Sequence, residues 1–123
     1  MTSLELEALL GLLGRARHIV IGTDSASRAD GDRIAAAWGG LVLAAVAWPE
    51  TAASWLRQAS RFATPAPDAW VVSASPASWA GMSRRLLLST SWSPHRTFAT
   101  DTLAGYPLPG LRGARADGTT WET

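Results

Sequence analysis

Three apolar runs divide the first two thirds of the chain at nearly regular spacing. They cover residues 18–24, 41–48 and 68–75, and Pro49 and Pro76 stop the second and the third. Helix-length segments lie between them. Continuous apolar strands that alternate with helices are typical of a parallel sheet buried on both faces. The pattern therefore predicts an α/β fold.

The segments around these runs carry apolar residues at helical spacing. An N-terminal helix is expected to begin at Ser3, which is placed to cap it, and to end at Gly14. Further helices are expected over residues 27–38, 49–62 and 76–88. Because right-handed crossovers join parallel strands, sequential pairing predicts that the first strand lies between the second and the third.

The alternation of apolar strands and helical segments becomes less regular towards the C-terminus. A fourth strand is expected over 96–100, and one further short strand near 111–114. Glycine and proline punctuate the remainder, which predicts loops and a frayed end. We therefore expect a three-layer open sheet of four to five mainly parallel strands with helices on both faces. Residues 1–104 would form this domain, and 105–123 a loop-rich C-terminal segment.

Composition narrows the possible chemistry. A chain of 123 residues is long enough for one domain. It has no cysteine, which excludes disulfides, thiolate catalysis and cysteine metal sites. All eleven basic residues are arginine, so phosphate-binding loops of the Walker type and Schiff-base chemistry, which need lysine, are excluded. The net charge of +1 implies neither nucleic acid nor an anionic membrane as a partner.

The N-terminus does not have the pattern of a secretory signal, because Glu5 and Glu7 stand where a basic region is expected. The longest apolar run, 41–48, is too short to span a bilayer, so membrane insertion is not expected. These features predict a cytoplasmic location for the chain as given, or an extracytoplasmic one if it belongs to a longer receptor.

Candidate ligand-binding residues follow the first and third strands, because open parallel sheets bind ligands at the carboxyl ends of their strands. These residues are Thr23, Asp24, Ser25, Ser73 and Ser75. An alternative is that Asp24 or Ser25 caps the turn and that Ser75 caps a helix. Since strand-end loops are seldom core, Asp24→Ala is expected to leave folding largely intact and to abolish ligand retention.

No catalytic, metal or cofactor site is predicted. Ser73 is not part of a nucleophile elbow. His18 and His95 are the only histidines; they lack helical His-x-x-x-His spacing and are expected together at the amino-terminal end of the sheet, away from the ligand edge. The residues after Gly22 do not form the dinucleotide glycine pattern, so no cofactor is expected.

A family resemblance rests on several short motifs. They are Asp24-Ser25-Ala26-Ser27-Arg28-Ala29-Asp30-Gly31, then Ala36-Ala37-Trp38-Gly39-Gly40, Trp48-Pro49, and Pro67-Asp68-Ala69-Trp70-Val71-Val72. Over roughly residues 7–111 the chain resembles one lobe of type 1 periplasmic binding proteins. The branched-chain amino-acid receptors of ABC transporters are the most similar in style. The chain departs from that family in having the length of only one lobe.

The resemblance implies a non-catalytic domain that binds a small polar, amino-acid-like ligand. It also places Thr100 and Asp101 in a polar loop of the ligand site. Two alternatives stay open: a small α/β enzyme, a hydrolase or transferase that uses Asp24, and a tryptophan-rich protein-interaction domain.

Seven tryptophans are many for a chain of this length, and a lone lobe leaves a surface uncovered. Partly exposed tryptophans are typical of interfaces. We therefore expect a homodimer, or docking to another domain, with at least one of Trp48, Trp55, Trp79 and Trp92 at the contact.

Overall fold

The computed structural model describes residues 1–123. Four α-helices are present: α1 (Ser3–Leu13), α2 (Arg28–Ala37), α3 (Leu56–Ala63) and α4 (Pro76–Ser89). Six strands are present: β1 (His18–Asp24), β2 (Leu41–Trp48), β3 (Ala69–Ser73), β4 (Thr97–Ala99), β5 (Arg112–Ala114) and β6 (Thr120–Glu122). Short 3₁₀ turns cover Ser25–Ser27, Pro94–Arg96 and Asp101–Leu103.

All six strands belong to one sheet in the order β2-β1-β3-β4-β5-β6. The four pairings from β2 to β5 are parallel, and β6 is antiparallel to β5. The predicted α/β class is confirmed, as is the position of β1 between β2 and β3. The sheet has six strands where four to five were expected.

The additional strand is β6, which lies in the C-terminal segment. The prediction of a frayed end there is wrong. β5 and β6 form a hairpin around Asp117-Gly118, and Gly118 has the positive φ of 86° that favours glycine. Leu111 and Trp121 are buried, so this segment completes the sheet and its core. The Trp121 ring lies against Gly113, where a Cβ would overlap the ring carbon Cζ2.

The helices cover both faces of the sheet. On one face, α1 and α2 contribute Leu9, Leu13 and Ile34 to a cluster of nine buried residues. On the other face, α3 and α4 contribute Phe62 and Met82 to a cluster of 17. Side chains alternate between faces along a strand, so each central strand supplies both clusters. This arrangement is the expected three-layer architecture.

Two helix starts differ from the sequence prediction. The cap of α1 is Thr2, whose hydroxyl accepts from the Glu5 N–H at 3.0 Å, one residue before the predicted Ser3. The helix expected from Pro49 begins only at Leu56. The intervening chain is held as a loop across the strand ends, because the Glu50 carboxylate accepts from the Ala26 N–H at 3.3 Å.

The tryptophans are mostly core residues. Trp48, Trp79 and Trp92 are at most 4% exposed, and Trp121 is buried as well. Trp79 lies between the other two, with ring centroids 6.1 Å from Trp48 and 5.7 Å from Trp92. Three of the four residues named for a contact are therefore core residues, and only Trp55 is half-buried. No helix has the length and apolar character needed to cross a membrane.

Candidate functional site

The carboxyl edge, where β1 and β3 end side by side, is the point at which the strand order reverses. Such a switch point is the usual ligand crevice of an open parallel sheet. Here the crevice is bridged by the protein itself, because the Ser75 N–H donates to Asp24 Oδ2 at 2.7 Å. The predicted residues Asp24 and Ser75 are thus brought together, but as partners of each other.

Asp24 is fully buried, and both of its carboxylate oxygens are hydrogen-bonded. Oδ1 accepts from the Ser27 N–H at 3.0 Å, and Oδ2 also accepts from the Ser78 hydroxyl at 2.8 Å. The side chain therefore caps the turn after β1 and lies at the N-terminus of α4, which is where a bound anion would be stabilised. The Ser75 hydroxyl caps α4 by accepting from the Ser78 N–H at 3.2 Å.

Burial raises the pKa of Asp24, but the hydrogen bonds from Ser27, Ser75 and Ser78 outweigh it, so the pKa lies below its ordinary value of 3.8. The carboxylate is therefore ionised at neutral pH and committed to three protein donors. A general base needs a lone pair that a substrate proton can reach, and the Asp24 side chain is fully buried.

The other buried members of the predicted set face the opposite side of the sheet, towards α2. The Ser73 hydroxyl donates to Asp30 Oδ2 at 2.9 Å, and the Thr100 hydroxyl donates to Ser73 Oγ at 3.1 Å. Thr23 is buried, with its methyl group against Gly31. The Ser73 and Thr100 hydroxyl groups and the Asp30 carboxylate thus form a network that links the end of β3 and the turn after β4 to α2.

The remaining predicted residues lie at the surface of this edge. Ser25 is exposed and donates to the Trp48 carbonyl at 3.2 Å. Asp101 has an exposed side chain, and its N–H donates to the buried carboxylate of Glu5 at 2.8 Å. All seven predicted residues lie at the carboxyl edge, but they are divided between two faces and the surface, and Asp24, Ser73 and Asp101 do not converge on one cleft.

The structure adds partners at this edge that the sequence analysis missed as site residues. They are Glu5, Asp30, Glu50 and Ser78. The only sequence signal for Ser78 was its position three residues after the N-cap, where an orphan N–H of the helix needs an acceptor. Glu5 comes from a helix 96 residues away in sequence from its partner, so no local pattern could indicate it.

An open cavity lies at the amino edge of the sheet, where β1, β3, β4 and β5 begin. We call it the cationic groove; its volume is about 590 Å³. Its polar lining combines four arginines and two histidines with a single carboxylate, and its apolar lining comes from the end of α1 and the first residues of β3 and β4. The polar lining residues are Arg15, Arg17, His18, Asp68, His95, Arg96 and Arg112.

None of the four guanidinium groups forms a salt bridge within the protein. The Met1 amino group lies 3.3 Å from Asp30 Oδ1, and His18 Nε2 lies 3.7 Å from Asp68 Oδ2. No arginine takes part in either contact. Arg96 lies over the Trp70 ring and Arg112 over the Phe98 ring, each 5.4 Å from the centroid. Stacking of this kind restrains a guanidinium plane and leaves its N–H edge free to donate.

Asp68, the only carboxylate of the cationic groove, accepts hydrogen bonds from main-chain N–H groups. Its Oδ2 accepts from the Arg17 N–H at 2.8 Å and from the His18 N–H at 3.4 Å. The Arg17 N–H bond is the main reason that the pKa of Asp68 lies below its ordinary value. The carboxylate thus holds β1 to β3, and it forms no ion pair with the arginine side chains.

The two histidines lie at the amino edge, as the sequence analysis expected, yet this edge was set aside as a ligand site. The missed residues are the arginines, which are spread from position 15 to position 112. A weak signal was present: basic residues stand immediately before or at the start of several strands. Parallel strands start at the same edge, so these charges meet there.

The chain matches no family model, no curated protein and no solved structure among those compared with it. The function is therefore argued from the chemistry of the two edges.

Proposed function

We propose that this chain is a small-molecule binding domain without chemistry of its own, and that its ligand is a small polar molecule with an anionic group held in the cationic groove. The observation that supports the proposal is the convergence of Arg15, Arg17, Arg96 and Arg112, none of them ion-paired, on one cavity of about 590 Å³. That volume is within the range of small-molecule sites.

Arginine is suited to this role because its planar fork donates two parallel N–H bonds to a carboxylate or phosphate. Asp68 does not neutralise the groove, since four arginines face one carboxylate that is occupied by main-chain donors. The proposal keeps the class of function implied by the resemblance to a periplasmic binding protein lobe, a small polar ligand such as an amino acid. It moves the site from the carboxyl edge to the amino edge.

The carboxyl edge supports a ligand site less well. Thr23, Asp24, Ser73 and Thr100 are buried, and the polar groups of the last three are hydrogen-bonded within the protein. An incoming ligand would have to displace these bonds, each of which contributes on the order of 1 kcal/mol. An enzyme that uses Asp24 faces the same obstacle, because catalysis would first require the carboxylate to leave Ser27, Ser75 and Ser78.

Titration of the protein with inorganic phosphate by calorimetry tests the proposal. Two charge-assisted hydrogen bonds predict a dissociation constant on the order of 1 mM at low ionic strength. Arg17→Gln and Arg112→Gln are each expected to weaken binding about tenfold, since losing one such bond costs about 1.4 kcal/mol. Binding should also weaken as salt is added.

Arg61→Gln is the matched control, because Arg61 is an exposed arginine of α3 that does not line the groove. Its affinity should equal that of the unmodified protein. If phosphate binds equally well to Arg17→Gln, Arg112→Gln and Arg61→Gln, or does not bind at all, the anion site is not at the amino edge and the proposal fails.

A second candidate role is self-association, and the feature that favours it is β2. This edge strand has eight residues, all apolar, without the charge or proline that usually blocks pairing between edges. Leu41 is 66% exposed and Leu43 is 43% exposed. We propose that β2 pairs with β2 of a second copy about a twofold axis; this replaces the tryptophan contact as the basis for the predicted homodimer.

Light scattering at micromolar concentration should then give the mass of a dimer, and Leu43→Lys should reduce it to that of a monomer. The lysine would place two like charges near the twofold axis of an otherwise uncharged strand pair. Leu88→Lys is the control, since Leu88 is 70% exposed on α4 and lies away from this edge. A monomeric unmodified protein would remove the self-association candidate without affecting the anion site.

A further inference from the structure

A second cavity lies between α4 and the loop over residues 106–108. We call it the α4 groove; its volume is about 330 Å³, which is at the lower end of the range for small-molecule sites. Most of its lining is apolar, and the lining contains no carboxylate. α4 contributes Ser83, Arg84, Leu87 and Leu88, and the loop contributes Tyr106 and Leu108.

The apolar side chains that α4 contributes are exposed to solvent. Leu87 is 49% exposed and Leu88 is 70% exposed. They follow Arg84 by three and four residues, so all three side chains lie on one side of the helix. Adjoining exposed leucines in a groove are typical of a binding site, whereas single exposed leucines are common on any surface. An apolar group that covered them would be stabilised, because it would remove their carbon atoms from water.

Three polar side chains of the α4 groove make no hydrogen bond within the protein. Ser83 is only 4% exposed, yet its hydroxyl has no partner. That hydroxyl is not one of the enclosed polar atoms that lack a partner, so it is open to the groove. The Tyr106 hydroxyl and the Arg84 guanidinium also have no partner, and Arg84 forms no salt bridge. All three groups can donate to an oxygen atom, and Arg84 adds a positive charge.

The loop that forms the other wall of the α4 groove is held by the protein itself. The Tyr106 N–H donates to the Leu103 carbonyl at 3.0 Å, and the Leu108 N–H donates to the Tyr106 carbonyl at 2.8 Å. The Thr123 hydroxyl donates to the Leu108 carbonyl at 2.6 Å. Tyr106 and Leu108 also pack against the larger core cluster. A wall that is already formed lowers the entropy cost of binding.

We infer that the α4 groove is a second ligand site, for a small amphipathic anion with a carboxylate head and an unbranched apolar tail. Arg84 and Ser83 hold the head, and the tail lies against Leu87 and Leu88. The head is anionic because the only charge in the lining is positive and has no counter-charge within the protein. Medium-chain fatty acids have this chemistry. The inference goes beyond the proposed function, since no residue lines both the α4 groove and the cationic groove.

Titrations with octanoate, butanoate and octan-1-ol, followed by methyl NMR spectra, test the inference. The methyl signals of Leu87 and Leu88 report binding in the α4 groove and not in the cationic groove. Octanoate should shift these signals with a dissociation constant on the order of 1 mM. Butanoate should bind at least about tenfold more weakly, because each buried methylene group contributes about fourfold in affinity. Octan-1-ol, which has the same tail without the charge, should also bind about tenfold more weakly.

Variants of α4 separate the head of the ligand from its tail. Arg84→Gln should weaken octanoate binding about tenfold and leave octan-1-ol binding unchanged, because it removes only a charge-assisted hydrogen bond. Ser83→Ala should weaken octanoate binding about threefold. Arg85→Gln is the matched control, since this neighbouring arginine donates to Ser89 Oγ and does not line the groove. Its affinity for octanoate should equal that of the unmodified protein.

Three results would overturn the inference. The first is that octanoate leaves the Leu87 and Leu88 signals where they are. The second is that Arg84→Gln and Arg85→Gln bind octanoate equally well. The third is that the unmodified protein binds octanoate and octan-1-ol equally well, which would show an apolar patch without an anion site. None of these results bears on the cationic groove, where phosphate binding is tested with separate variants.

Discussion

Asp24→Ala is expected to lower the free energy of unfolding by about 3 kcal/mol, a large part of the total stability of a domain this size. The carboxylate is fully buried and accepts from the Ser27 N–H, the Ser75 N–H and the Ser78 hydroxyl. Alanine would leave these donors without their acceptor, and a buried donor without a partner costs about 1–3 kcal/mol. This reverses the expectation from sequence that the variant folds normally.

Urea denaturation at pH 7 measures the change. Asp101→Ala is the control, because the Asp101 side chain is exposed and the residue's bond to Glu5 is made by its main-chain N–H. It should change stability by less than about 0.5 kcal/mol. If Asp24→Ala were as stable as the unmodified protein, the carboxylate would not be structural, and the carboxyl edge would again be the leading ligand site.

The lowered pKa of the Asp24 carboxylate predicts how the free energy of unfolding changes with pH. Its pKa is lowered in the folded protein, so the folded state binds fewer protons than the unfolded state as the group titrates. The contribution of Asp24 to stability is therefore fully present above its ordinary pKa of 3.8 and is lost as the pH falls through its folded pKa. The stability difference between the unmodified protein and Asp24→Asn should consequently shrink below pH 3.8, and a constant difference would contradict the assignment.

Gly22→Ala is expected to destabilise the protein by about 3 kcal/mol, through crowding rather than a lost bond. Gly22 lies in β1 beneath two aromatic rings. A Cβ at this position would stand 2.6 Å from Cε1 of Phe62 and 2.7 Å from Cζ3 of Trp48. Both rings are buried, with Phe62 fully buried and Trp48 1% exposed, so neither can move aside without disturbing the larger core.

Thermal and urea denaturation measure this effect, and Gly11→Ala supplies the control. Gly11 is a helical glycine of α1 with no atom within 4 Å of a Cβ built on it. The same substitution should there stabilise the protein by about 0.5–1 kcal/mol, since alanine restricts the unfolded chain and favours helix. Equal effects of the two variants would show that the packing around Gly22 is looser than described.

Much of the fold could be predicted because its central strands are continuous apolar runs bounded by breakers. β1 and β2 have the predicted bounds, and α4 begins at Pro76 as expected. The prediction was wrong where a contact distant in sequence acts on the chain. α3 begins at Leu56 and not at Pro49, and the Glu50 carboxylate in the intervening loop accepts from the Ala26 N–H. β6 pairs with β5, where the Trp121 ring packs over Gly113.

The candidate site was harder to predict. The sequence indicates which residues lie at an edge of the sheet, but not which face of the sheet each side chain points to. The polar residues after β1 and β3 do lie at the carboxyl edge. Successive residues of a strand point to opposite faces, however, so Asp24 faces α4 while Ser73 faces α2. The arginines of the cationic groove carried only a weak local signal, since Arg17 and Arg112 are brought to one edge by the order of the strands between them.

The sequence by itself determined the class of the fold, the order of the first three strands and the absence of cysteine and lysine chemistry. These follow from local properties of the chain: hydrophobic periodicity, breakers and residue types. Only the tertiary structure decided that Asp24 is a buried cap, that five of the seven tryptophans are core residues and that four arginines without a salt bridge line one groove. The physical reason is that burial, hydrogen bonding and charge pairing depend on neighbours far apart in sequence, and those neighbours are set by how the strands and helices pack.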